Sequence, residues 1–226
     1  MSATETREKL LAGALRTLSE QGIAKTSARS IATAAGVNQA LVFYHFGSVD
    51  ELLAAACRYG AEQRVAHYRL RLAAITTLAE LLEFGRVMHE EEKRGGHVAF
   101  LGQLLAGAQT QPRLAPATAA GLDLWIEEIE KVLGRVLEHS PIAEFTDPAG
   151  LARAVAAAFI GLELYEGVDE VGAASALDAL EQLAGLVGVL EDLGPVAQHA
   201  VRLGLRKAKR GHTPSDRRIP SRDPAR

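Results

Sequence analysis

Cysteine is nearly absent from this chain of 226 residues; Cys57 is its only one. A lone thiol forms no intramolecular disulfide and no cysteine-based zinc site. Such usage fits a reducing compartment, and a cytoplasmic location is expected. Aromatic residues make up only 5%. No Ser sits in a Gly-x-Ser-x-Gly elbow, and no phosphate-binding Gly loop or metal motif occurs. His89 and His97 lack a third ligand at suitable spacing. Neither an enzyme, a metal centre nor a cofactor is therefore expected. No apolar run approaches the ~20 residues of a membrane span. No basic segment followed by an apolar stretch marks a signal peptide, so no membrane association is expected.

What the chain does have is apolar residues, at 48%, enough for a substantial core. Its net charge of −3 is unevenly spread: residues 1–50 carry +1, residues 51–201 carry −11 and residues 202–226 carry +7. An acidic middle repels nucleic acid, so any contact with DNA has to come from a few placed groups in the N-terminal head or from the basic end.

Almost every segment repeats with a helical period, and none alternates for long. Residues 6–20 put Leu10, Leu11, Ala14, Leu15 and Leu18 on one face, and Gly22 is expected to end that helix as a left-handed cap. Ser27 caps a second helix whose inner residues are Ile31, Ala32 and Ala35. Gly36 stops it, Asn38 caps a short third helix, and Gly47 closes that. Ser48, with Glu51 three residues on, opens a fourth helix. Longer helices follow over about 49–72, 76–93, 97–109, 116–138, 149–166 and 173–192, with a last one to about 209. The final stretch, GHTPSDRRIPSRDPAR, reads as a flexible basic tail.

The order helix, Gly-centred turn, short helix is a helix-turn-helix. Val37, Val42 and Phe46 are spaced to plug the short helix into the head's core. Asn38, Gln39, Ala40, Leu41, Tyr44 and His45 remain for the outer face, with Phe43 at its margin. A polar, aromatic face on so short a helix suits the DNA major groove. The fold expected is all-α: a three-helix head over residues 1–48, a helical body over 49–210 and a tail over 211–226.

The segments Ser27-Ala28-Arg29-Ser30-Ile31-Ala32, Ala35-Gly36-Val37-Asn38, Val42-Phe43-Tyr44-His45-Phe46 and Ser48-Val49-Asp50-Glu51-Leu52 resemble the DNA-binding domain of TetR/AcrR-type transcriptional regulators. The resemblance covers roughly a fifth of the chain. It implies a homodimeric, ligand-responsive regulator, most often a repressor, whose partners are a double-stranded DNA operator and a small-molecule effector. Two positions depart from the family pattern. Phe43 stands where a Tyr is usual, and Val49 where a Lys is usual. Both usual residues contact phosphates, so their loss removes positioning contacts and leaves base reading in place. A helical dimer that has lost specific DNA binding and a ligand-dependent activator are the rival readings.

The residues expected at DNA are Ser27, Arg29, Asn38, Gln39, Ala40, Leu41, Tyr44 and His45. Arg29 is suited to a guanine, Gln39 to an adenine and Leu41 to a thymine methyl. In the body, Phe84, Met88, His89, Phe100, Leu104, Trp125, Phe159 and Glu163 are the expected lining of an apolar pocket with a few polar groups. The Ala- and Gly-rich late helices are the expected dimer seam, through Ala156, Phe159, Leu180, Leu183, Val187 and Leu190.

Overall fold

A computed structural model describes residues 2–94, 97–110, 115–138 and 140–211; the side chains of 97–100, 103, 110, 117, 191 and 209–211 fall outside the description. The chain is all-helical, with no strand among the described residues. Phe100, placed above in the pocket, and the tail from 212 onward therefore lie outside the described residues.

Three helices make the head. Helix α1 (Ala3–Gln21) starts three residues before its apolar stripe suggests, because the Ser2 hydroxyl accepts from the Glu5 N–H at 3.1 Å. Gly22, at φ 73°, ends it with an N–H donated to Leu18. Its ψ of 171° is extended, so this is not the left-handed helical cap expected. Helix α2 (Ala28–Ala35) is opened by a reciprocal box: Ser27 accepts from the Ser30 backbone and Ser30 from the Ser27 backbone. Gly36 closes it at φ 66°, ψ 34°, a true left-handed cap where a side chain would be strained. Helix α3 (Ala40–Phe46) follows, and Gly47 turns the chain into α4 (Val49–Ala74). Leu10, Leu11, Ala14, Leu18, Ile31, Ala32 and Val42 form the head's core, joined by Leu52, Leu53 and Ala56 of α4. Helices α1 and α2 lie so close at Gly13 that a Cβ there would come within 2.9 Å of the Ala35 Cβ.

The body comprises α5 (Leu78–Arg94), α6 (His97–Thr110), α7 (Ala115–Leu137), α8 (Pro148–Glu166), α9 (Glu170–Glu191) and α10 (Pro195–Gly211). Asp147 caps α8 from outside its first-turn proline, and Asp169 caps α9. Helix α4 packs along α7, α7 on α8, α8 on α9, and α9 on α5. A second core gathers Tyr68 and Leu72 of α4 with Ile75, Leu81, Val132, Leu133, Leu137 and Ala152. Helix α4 thus has its first turns in the head's core and its last turns in the body's.

One expectation fails. Helices α8 and α9 are long and apolar enough to cross a membrane by length and composition, with mean hydropathies of 1.2 and 1.4. Runs of Ala and Gly raise the mean without producing an unbroken run of large apolar residues. Charges still interrupt both helices, and those of α9 are engaged: Asp178 and Glu181 both pair with Arg86 of α5.

Candidate nucleic-acid interface and effector site

Helix α3 is short, and every part of it is accounted for. Val42 is fully buried and anchors it, while Val37 and Phe46 pack on the same core. The guanidinium of Arg7 lies over the Phe46 ring, 5.0 Å from its centre. Asn38 accepts from the Ala40 N–H at 2.8 Å, so its oxygen is engaged at the start of α3, one residue before the N-cap Gln39, which makes no side-chain cap bond. Leu41 packs against the core, leaving less of it to meet a base. Gln39 and Ala40 are exposed. Tyr44 is 80% exposed, far more than an aromatic ring gains by facing water. His45 is half-buried beneath it, edge-on at 4.9 Å. Phe43 is half exposed and Val49 packs on the head's core.

Between α1 and α2, an open groove of about 640 Å³ is lined by Arg16, Glu20, Ser27, Arg29, Ser30 and Thr33. Ser27 and Ser30 hold one another, and the Thr33 hydroxyl donates to the Arg29 carbonyl at 2.9 Å. Neither Arg16 nor Arg29 makes an ion pair with any described residue, so both guanidinium groups are available to phosphate or base edges. Sequence reasoning passed over Arg16. Its only signal is its place on the outer face of α1, which is equally that of an ordinary surface arginine.

In the body, Phe84, Met88 and Trp125 pack against the second core. The Tyr68 ring meets Phe84 at 5.7 Å and Trp125 at 5.9 Å. Leu104 does not join them: it is buried in the head's core, because α6 also touches α1. Glu163 of α8 is the notable group. Its side chain is only 3% exposed, and it bonds through Oε1 to Nδ1 of His89. The other ring nitrogen of His89 lies 2.9 Å from Oε2 of Glu166, whose Oε1 accepts from Lys93 at 2.8 Å. Both ring nitrogens of His89 therefore face carboxylates. Burial pushes the Glu163 carboxyl up and His89 opposes it, whereas Lys93 holds Glu166 below the usual range. The Phe159 ring meets the edge of His89 at 6.3 Å. Helix α5 is tied to α4 as well: Arg64 and the Tyr68 hydroxyl both donate to Glu92, and Arg71 donates to Glu91.

The residues expected at a dimer seam on α8 and α9 do not share one environment. Ala156 is buried inside the protomer, Phe159 lies against His89, and Leu180, Val187 and Leu190 are half-buried. Leu183 is 59% exposed, and beside it Leu186 and Val189 are exposed too. On α8 the outward stripe is Ala154, Ala157, Ala158, Gly161 and Leu164. In the basic end, Arg206 is taken by Glu144, with both ends of its fork paired at 2.8 and 3.0 Å.

Residues 10–56 match the family of bacterial regulatory proteins called the tetR family. No curated protein sequence matches the chain. Among solved structures, SCO7518, a transcriptional regulator of Streptomyces coelicolor A3(2), is 27% identical, with a TM-score of 0.63 over 80% of this chain and 98% of that one. The multidrug binding protein EbrR complexed with proflavin is 26% identical, with a TM-score of 0.54 over 80% of this chain and 99% of that one. The same protein complexed with imidazole is 29% identical, with a TM-score of 0.55 over 77% and 93%. The head thus carries the motif of the tetR family, and the all-helical fold of the chain is similar to that of solved transcriptional regulators.

Proposed function

We propose that the protein is a dimeric, effector-responsive repressor of transcription acting in the cytoplasm, with no enzymatic role. The observation that carries this is the exposed Tyr44 on a short helix anchored by the buried Val42. An aromatic hydroxyl kept in water by a buried Val42 behind it is poised for a groove. Helix α3 enters the major groove with Gln39 and Tyr44 foremost and His45 beneath. Arg29 reads a base edge, while Ser27 and the N-terminus of α4 face phosphates. The unpaired Arg16 and Arg29 offset the cations missing at Val49. Two protomers join through the exposed stripes of α8 and α9, and their heads read a two-fold symmetric operator at half-sites about one helical turn, ~34–36 Å, apart or a multiple of it.

A small, mostly apolar molecule enters the body near α5, α7 and α8. It acts through α4, which lies in both cores. To work as an inducer it must favour the non-binding head spacing by a few kcal/mol. That EbrR is a multidrug binding protein of the same fold supports an effector of this kind. Capture of bacterial genomic fragments by the purified dimer tests the reading. Wild-type protein should enrich a discrete set of sites, and Tyr44→Ala should lose most of that enrichment while sedimenting as the same dimer. Normal enrichment by Tyr44→Ala would mean that α3 does not face the DNA.

A further inference from the structure

Glu163 is built into the body with half of its carboxylate unused. Oε1 is held by His89, but Oε2 is buried and has no hydrogen-bond partner among the described residues. Proteins leave few such atoms without a reason. The surroundings are acidic: Glu166 and Glu92 both act on Glu163, while the nearest cations are already committed, Lys93 to Glu166 and Arg64 to Glu92. The Phe159 ring flanks His89, and Glu92 accepts from Tyr68, whose ring lies against Trp125 and Phe84. A carboxylate lacking a donor thus sits at the edge of an aromatic cluster.

We infer that Glu163 recognises the effector, and that the effector is an organic cation with an N–H donor on a flat apolar body. The N–H donates to Oε2 of Glu163, and the body lies among the rings of Phe159, Phe84 and Trp125. This rests on the reading of the body as an effector domain. An anion would meet Glu163, Glu166 and Glu92 in a poorly solvated place. A neutral apolar molecule would leave the Oε2 acceptor as unsatisfied as before. A cation there also weakens the hold of Glu163 and Glu166 on His89, and so the link from α8 through α5 to Glu92 and α4.

The test uses the full chain and two probes, proflavin and acridine. Proflavin is a cation with amine donors; acridine has the same fused rings, no amine, and no charge in weakly alkaline buffer. Trp125, the only tryptophan, reports binding by quenching. Wild-type protein should bind proflavin at least about tenfold more tightly than acridine. Glu163→Gln should bring the two within about threefold, with an unchanged helical signal by circular dichroism. Equal affinity of the wild type for both probes overturns the inference, and so does a preference that survives in Glu163→Gln. The wild-type comparison stands even if the variant does not fold. Quenching by neither probe also overturns the site, and sequence-selective DNA binding by the same sample would then show that the regulator reading survives it.

Discussion

At the scale of single residues, the head separates side chains that hold α3 from those that α3 offers. Asn38 illustrates the difficulty of reading one from the other. As a residue type it suits an adenine equally well, but its carbonyl oxygen is engaged by the Ala40 N–H. Arg29 has no such engagement. Arg29→Ala should therefore relax the preference at one base pair per half-site, at a loss of about 1–3 kcal/mol. Comparing binding to operators varied at each position measures this, and an unchanged preference everywhere would remove Arg29 from base reading. Cys57 makes the opposite point. It is buried in the head's core, and burial pushes its thiol up from 9.0 to about 11. Near neutral pH the native thiolate fraction should be about a hundredfold below that of an exposed cysteine. A thiol-reactive chromophore should label it slowly in the native protein and rapidly in denaturant; equal rates would contradict its burial. Glu163 was legible as a polar group among apolar ones, but the unused oxygen was not, because it depends on which atoms the neighbouring helices bring within reach.

Elements were the most legible scale. Ser27, Asn38 and Ser48 stand at or beside helix starts, and Gly22, Gly36 and Gly47 mark the only positive-φ glycines among the described residues. Caps and breakers act locally, so the sequence carries them directly. Which face of α9 turns inward is another matter. Apolar and small residues surround most of its circumference, so periodicity favours no one stripe. Of the stripe chosen from spacing, Leu180, Val187 and Leu190 are half-buried and Leu183 is exposed, while Leu186 and Val189 face out with it. What turns the helix is the pairing of Asp178 and Glu181 with Arg86, a partner more than ninety residues away in sequence. If the outward stripe is the dimer seam, Leu186→Glu should convert dimer to monomer by sedimentation at micromolar concentration. It should leave the helical content unchanged, since Leu186 is 63% exposed in the protomer. A dimer that persists unaltered would place the seam elsewhere.

On the scale of the whole molecule, the two cores meet on α4. Leu52, Leu53 and Ala56 lie in one, and Tyr68 and Leu72 in the other. Under the proposed effector response, a shift of α4 in the body would reach the head through these packed side chains. Residues 10–56 carry the family motif, and the body was legible only as a set of helices. Its ion pairs join helices distant in sequence, as His89 with Glu163 and Arg64 with Glu92, and no local pattern predicts them. The negative body and sparsely charged head make a further demand: affinity for DNA has to come from placed contacts rather than bulk attraction. Selection of bound duplexes from a random pool by the purified protein, at low and moderate salt, tests this most directly. The account predicts enrichment of one two-fold symmetric site, at both salt concentrations. Weak binding that ignores sequence and vanishes with salt, or no binding at all, would contradict it.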